Sequence, residues 1–445
     1  MSEAREKNGI LEGVIWKQLL IFFFPIMIGS FFQQLYNTID AVIVGRAIGK
    51  TALAAVGGSS SLIVSLIINF FVGLTSGAGV IVSHSVGAGD RKRLNDAIHT
   101  IYAFSIIGSV AFMLVGLFAS KPLLEMMNTP ADQMQESVTY LQIYFAGIFF
   151  VFIYNTGSSI LRALGDSKRP LYYLIVCCLV NVVLDILMVL LFQMGVAGVA
   201  VATVVSQAIS AVLVTRALIK SKSMCDFSLR KIKVHSDSLK KELYYGMPAG
   251  IQYSMYNISN MIVQSAVNKF GTDTTAAWAA YGKLDAIFWM ISGALGMAIT
   301  TFVGQNYGAG KMERVRKSVK VCLGIDIAMS IVMTLLLMVF REPLFHIFTG
   351  EAAVVEIGSA MLYFIAPFYV AYAFTEIFSG ALRGMGDVVI PTLITTVGVC
   401  LIRVLWIFVV VPIYPNLYVA IANYQVTWVL SSVLFIVYYV YKIRT

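Results

Sequence analysis

Long stretches of this chain carry no Asp, Glu, Lys or Arg, and that absence constrains its fold more than any other feature. Thr51–Ser83, Ile186–Thr215 and Val404–Tyr441 are all free of formal charge. A bilayer-spanning helix needs about 20 apolar residues. All three exceed that, and the last two each contain a turn signal, Gln193-Met194-Gly195 and Pro412-Ile413-Tyr414-Pro415. Each of those two therefore holds parts of two helices joined by a short loop. Composition agrees: 59% of the 445 residues are hydrophobic and 12% are charged, against roughly 25% charged in a soluble domain. No water-soluble fold of this length hides so much apolar surface, so the surplus faces lipid. Polar/apolar alternation of the membrane-barrel kind is missing. The expectation is an all-α polytopic membrane protein with twelve transmembrane helices, near 16–44, 51–82, 96–119, 135–160, 170–192, 196–219, 243–268, 274–304, 316–340, 355–380, 389–411 and 417–441. The first apolar run has no small-residue cleavage site after it and is read as a retained helix rather than a signal peptide.

Basic residues orient these spans. Alternate connections are loaded with Lys and Arg: 25 fall on the side of the N-terminus (Arg5, Lys7, Lys17), the central connection 216–241 and the C-terminus, and 5 fall on the other side (Arg46, Lys50, Lys121, Lys269, Arg341). The positive-inside rule then puts both termini in the cytoplasm and the chain in the cytoplasmic membrane. The formal charge of +9 is accounted for by topology, and no nucleic-acid partner is expected. The five cysteines have neither disulfide nor metal spacing and are read as small buried apolar groups. No enzyme is expected: His84, His99, His235 and His346 are not paired at metal spacing, and there is no Walker loop, H-E-x-x-H or G-x-S-x-G.

The chain repeats itself. Leu161-Arg162-Ala163-Leu164-Gly165-Asp166 followed by Pro170 matches Leu382-Arg383-Gly384-Met385-Gly386-Asp387 followed by Pro391, at an offset of 221. Gly87-Ala88-Gly89 matches Gly308-Ala309-Gly310 at the same offset, and Pro25 and Asn37 match Pro248 and Asn260 at 223. Ordered matches at nearly one offset signal an internal duplication. Two pseudo-symmetric six-helix bundles follow, residues 1–222 and 223–445, joined by the basic linker at about 216–241. An even number of helices per unit makes the halves parallel, with their axis along the membrane normal.

Ionisable residues inside lipid are costly, so each is a functional candidate. Gln33, Tyr36, Asn37 and Asp40 fall at i, i+3, i+4 and i+7, on one face of the first helix; Pro25, earlier in that helix, removes a backbone donor and can kink it. Asn181 and Asp185 are an i, i+4 pair in helix five. Thr203 is at similar depth in helix six. Two carboxylates, an amide oxygen and a hydroxyl are hard donors that suit Na⁺ or a shared proton. The repeat places Val263, Trp406 and Tyr424 where the first half has Asp40, Asp185 and Thr203. That asymmetry favours a specific ion site in the first half. In the second half Glu376 corresponds to Asn155 and is a functional candidate. Asp285, Lys283, Asp326 and Arg403 also lie within helices, and Arg403 has Glu376 or Asp285 as a structural partner.

These ordered features resemble the multidrug and toxic compound extrusion (MATE) family, over nearly the whole chain. The carrying residues are Pro25, Gln33-Gln34, Asn37 and Asp40; Gly87-Ala88-Gly89-Asp90; Leu161–Asp166; Asn181 and Asp185; Gly308-Ala309-Gly310; and Leu382–Pro391. The resemblance is closest to the DinF-like branch. It implies a V-shaped cleft between two bundles and export of organic cations and other amphipathic drugs in exchange for Na⁺ or H⁺. It places the ion at Asp40, Asn181, Asp185 and Thr203, and cavity positions at Pro25, Tyr36 and Asn155. With them, Gln33, Asn37 and Glu376 complete the candidate substrate cavity. No cofactor beyond the coupling ion is expected, and the bilayer is the one obligatory surroundings of a chain expected to act as a monomer. The alternative is a flippase or exporter of a lipid-linked or metabolite precursor, which would favour a wide cationic cavity.

Overall fold

The computed structural model describes residues 9–222 and 224–444; Arg5 and Lys7, counted above in the charge bias, lie outside them. Among the described residues the chain is helical, with no strand. The main helices are α1 (Ile15–Ile43), α2 (Ser59–Ala88), α3 (Arg91–Met126), α4 (Ala131–Ala146), α5 (Ile148–Ala163), α6 (Lys168–Asp185), α7 (Gly195–Lys220), α8 (Ser236–Asn268), α9 (Thr272–Gly308), α10 (Met312–Val339), α11 (Ala352–Ile365), α12 (Tyr369–Gly384), α13 (Val389–Thr395, continued through π and short α turns to Ile413) and α14 (Leu417–Arg444). Among the described residues ten helical stretches are long and apolar enough to cross a bilayer, and the pair α4–α5, bent by 50°, makes an eleventh if it is one span. The remaining expected span falls on α8. It is 33 residues long, but charges crowd its first turns, and Gln252, Asn257, Asn260 and Gln264 interrupt the apolar stretch beyond them.

Two of the expected spans are broken in the middle. α4 and α5 meet at Gly147, where a Cβ would lie 2.3 Å from Val204; the missing side chain lets the bend rest on α7. The equivalent break, at an offset of 221, is the 3₁₀ turn Ala366–Phe368, which contains Pro367. Proline removes the backbone donor that would close the ladder there. α1 is prolonged by a π turn at Val44–Ile48 and α6 by another at Ile186–Leu191.

The chain forms two compact units. One is Phe24–Gly250; the other is Ile251–Thr445 together with the chain up to Phe23. The divisions fall inside α1 and α8, beside Pro25 and Pro248. In the Phe24–Gly250 unit the main core gathers Ile81, Ile98, Tyr102, Leu161, Val214 and their neighbours. There α2 and α8 touch backbone to backbone: a Cβ on Gly77 would lie 2.3 Å from the amide nitrogen of Gly246, and one on Gly73 2.5 Å from Gly250. The other unit is built around a large aromatic core with Trp278, Phe288, Tyr369 and Trp428. Its own α9 and α10 hold the short helix Gly9–Glu12: Asn306, Lys311 and Arg314 donate to the carbonyls of Ile10, Leu11 and Gly13. Cations and amides capping helical C-terminal carbonyls satisfy groups that the helix itself leaves open.

Candidate ion and substrate site

Asp40 sits in the last turn of α1, immediately before its π turn, and Asp185 is the last residue of α6, again immediately before a π turn. Inserted π turns recur at functional sites because they re-aim side chains without ending the helix. Here the two carboxyl groups lie close enough to interact directly. Asp185 is fully buried and neither of its oxygens has a partner among the described residues; Oδ1 of Asp40 is likewise buried and unpartnered. Ionised carboxylates only accept. A facing pair is satisfied only by something that donates to both or coordinates both: a shared proton or a hard cation.

Asn181 lies one turn before Asp185, fully buried, with both amide atoms unpartnered. Unpartnered buried polar groups cost roughly 1–3 kcal/mol each, so their concentration in one stretch of α6 fits a site that takes a ligand. Thr203, on the neighbouring α7, spends its hydroxyl proton on the Val199 carbonyl at 3.0 Å, which leaves lone pairs free to coordinate. All four donors are oxygens of the hard type that Na⁺ prefers. No cluster of three or more His, Cys, Asp or Glu able to hold a metal occurs among the described residues, so the set does not resemble a transition-metal site.

Three tyrosines complete the surroundings. Tyr36 interacts electrostatically with Asp40, Tyr140 and Tyr144, and Tyr140 with both aspartates. Tyr140 and Tyr144 are i, i+4 on α4, their rings stacked at 6.1 Å. Sequence reasoning missed both. Their spacing was the available signal, but nothing in it distinguishes a site wall from packing. One turn beyond the polar groups runs an apolar layer: Val44 follows Asp40 by four residues, Val189 follows Asp185 by four, and Val199 precedes Thr203 by four. With Ala52 and Val196 they form one buried cluster. One helical turn is 5.4 Å, so this layer closes the site directly at that end.

The four-residue stripe on α1 divides. Tyr36 and Asp40 are half-buried, whereas Gln33 and Asn37 are exposed. Pro25 is half-buried, and so is Asn155, which donates to the Val151 carbonyl at 2.8 Å. The other unit uses its ionisable residues differently. Glu376 accepts from the Tyr372 hydroxyl at 3.0 Å and lies 3.7 Å from Arg383. Asp285 accepts from Tyr369 at 2.6 Å, Tyr281 at 3.2 Å and Trp289. Arg403 donates to Asn260 at 2.8 Å and stacks over the Tyr424 ring at 4.1 Å. Asp326 accepts from Ser292 at 3.1 Å. Asp285 and Glu376 are thus embedded in hydrogen-bonded aromatic packing. Arg383, not Arg403, is the cation beside Glu376.

The chain matches the MatE family twice, over residues 25–187 and 248–409, the two halves of the duplication. It is 32% identical over 375 residues to the probable multidrug resistance protein YpnP of Bacillus subtilis, covering 84% of each chain. It is 26% identical over 410 residues to the probable multidrug resistance protein NorM of Thermotoga maritima, covering 89% of this chain and 86% of the relative. A solved structure described as the outward-facing conformation of a multidrug resistance MATE family transporter superposes with a TM-score of 0.92 at 21% identity, over 100% of this chain and 99% of that one. The fold, the duplicated match and the extent of the similarity agree: this chain belongs to the MatE family, whose members are multi-pass membrane transporters and not enzymes.

Proposed function

We propose that the protein is a cation-coupled antiporter that exports organic cations and related amphipathic drugs across the cytoplasmic membrane, with both termini in the cytoplasm and the ion carried at Asp40 and Asp185. The observation that carries this reading is the facing pair of carboxyl groups with buried, unpartnered oxygens beside Asn181. The printed names of YpnP and NorM as multidrug resistance proteins support the substrate class. In this reading residues 1–222 and 223–445 are the two six-helix lobes, and Pro25, Gln33, Tyr36, Asn37 and Asn155 contribute to drug binding.

Coupling follows from differential affinity. An ion drives export only by binding more tightly to the drug-poor state. A proton or Na⁺ bridging Asp40 and Asp185 ties the end of α1 to α6. Drug binding that needs α1 in another position then competes with the ion, and each expels the other. Pro25 marks where α1 bends most cheaply, because the ladder already lacks a donor there.

The test is transport in liposomes loaded with a fluorescent organic cation, with Na⁺ and pH gradients imposed separately on the wild type and Asp40→Asn. Movement under one gradient, lost in Asp40→Asn at unchanged reconstitution, identifies the coupling ion. Undiminished gradient-driven movement in Asp40→Asn removes Asp40 from the ion site. Movement under neither gradient overturns drug antiport and turns attention to lipid-linked precursors.

A further inference from the structure

The basic connection between α7 and α8 is not a loose linker. Its Met224–His235 segment is pinned along the first turns of α3 by a row of side chains. The Asp226 amide donates to Asn95 Oδ1 at 2.9 Å, the Ser228 amide to His99 Nε2 at 3.2 Å and the His235 amide to Thr100 Oγ1 at 3.1 Å. His99 Nδ1 lies 2.7 Å from the Asn95 carbonyl, so that nitrogen carries the proton and Nε2 is free to accept. Phe227 is buried, its ring 5.3 Å from His99 and 4.5 Å from Tyr102. His99 and Thr100 are eight and nine residues into a helix that crosses the membrane. At 1.5 Å per residue the strap reaches roughly 12 Å along α3 from its start, which brings it to the level where the apolar span begins.

The outer side of the strap combines two kinds of side chain. Leu229 is 53% and Val234 38% exposed. Arg230, Lys231 and Lys233 are exposed between them. Lys231 is 2.9 Å from Asp226 and its hydrogen bond holds that carboxyl below the usual carboxylate range; Asp226 stays ionised and offsets Lys231, and Arg230 and Lys233 remain uncompensated by it. The positive-inside bias accounts for basic residues in this connection. It does not call for a pinned backbone, nor for Leu and Val exposed among the cations. Cations with interleaved apolar residues, held at headgroup depth, are what an anionic lipid surface binds. A soluble anion would make no use of Leu229 or Val234.

We propose that the strap Met224–His235 docks on the membrane surface, with Arg230 and Lys233 on the phosphates of anionic phospholipid and Leu229 and Val234 at the acyl boundary. All five native cysteines are buried, so Leu229→Cys carries a selective fluorescent label. The full chain is placed in nanodiscs of phosphatidylcholine, with or without phosphatidylglycerol, and quenching by aqueous acrylamide, which carries no charge, is read. Phosphatidylglycerol is expected to shield the label several-fold, high salt to reverse the shielding, and Arg230→Gln/Lys233→Gln to abolish it without changing the melting temperature. Equal quenching in both bilayers overturns the proposal. Equal shielding in phosphatidylcholine discs on adding inorganic phosphate also overturns it, in favour of a soluble anion.

Discussion

Asp40 and Asp185 act as one group if one ion bridges them, and groups that act as a unit are non-additive on removal. Asp185→Asn alone is therefore expected to abolish gradient-driven transport as fully as Asp40→Asn. The double variant is expected to be no worse than either; rates that fall multiplicatively would show two independent sites. Tyr140→Phe removes one hydroxyl beside the pair and keeps the ring stacked on Tyr144. That hydroxyl interacts electrostatically with both aspartates, so its loss should shift the half-activating ion concentration a few-fold and leave the maximal rate near wild type. The ion titration of transport checks this. The aspartates were legible in the sequence because a carboxylate inside an apolar helix has few reasons to be there. The tyrosines were not: 22 tyrosines occur in the chain, and only the packing of α4 on α7, with Tyr140 against the cluster of Val44, Val189 and Val199, selects Tyr140 and Tyr144. Glu376 shows the opposite limit. It stood out by its charge, yet Tyr372 and Arg383, four residues before and seven after it on the same face of α12, engage it; the spacing allowed this pairing, and only the rotamers in the structure show it made.

At the scale of elements, the sequence announced where helices lie through charge-free runs, and the structure places a long helix, whole or broken, on each of the twelve stretches. It did not announce how closely they pack. Gly77 is one of 35 glycines; its G-x-x-x-G spacing with Gly73, and that of Gly246 with Gly250, marks both helices for close approach without saying that they meet each other. Interfaces between membrane helices rest on small residues that let backbones approach. A Cβ on Gly77 would have to displace backbone, not the tip of a flexible side chain. Gly77→Ala is therefore expected to cost about 1–3 kcal/mol and to lower the detergent melting temperature. Gly108 in α3 has nothing within 4 Å of an added Cβ and an ordinary helical conformation. Gly108→Ala should stabilise by up to about 1 kcal/mol through helix propensity alone. Equal melting shifts for the two variants would show that the α2–α8 approach is not tight. The π turns after Asp40 and Asp185 were equally invisible: their residues, Val44–Ile48 and Ile186–Leu191, read as continuous helix by periodicity.

Over the whole molecule, duplication is plain in the sequence and in the fold, whereas the chemistry is not duplicated. The positions of Asp40, Asp185 and Thr203 are taken in the second half by Val263, in the apolar core, by Trp406, which donates to the Val419 carbonyl at 2.8 Å, and by Tyr424, under Arg403. In the proposed reading one scaffold serves once for ions and once for aromatic packing. The broken pair α4–α5 bears on the topology of this scaffold, because a 50° bend is compatible with a crossing or with a re-entrant loop that returns to the same side. The charge bias favours a crossing. Lys121 belongs to the poorly charged side, and Lys222 to the side that collects 25 basic residues. Three crossings separate them if α4–α5 is one span, two if it returns. Both side chains are exposed and every native cysteine is buried, so single cysteines there report without background. On intact cells a membrane-impermeant maleimide should label Lys121→Cys, and should label Lys222→Cys only after the membrane is opened. Labelling of both from outside would make α4–α5 re-entrant. The reverse pattern would invert the orientation and move both termini to the outer face.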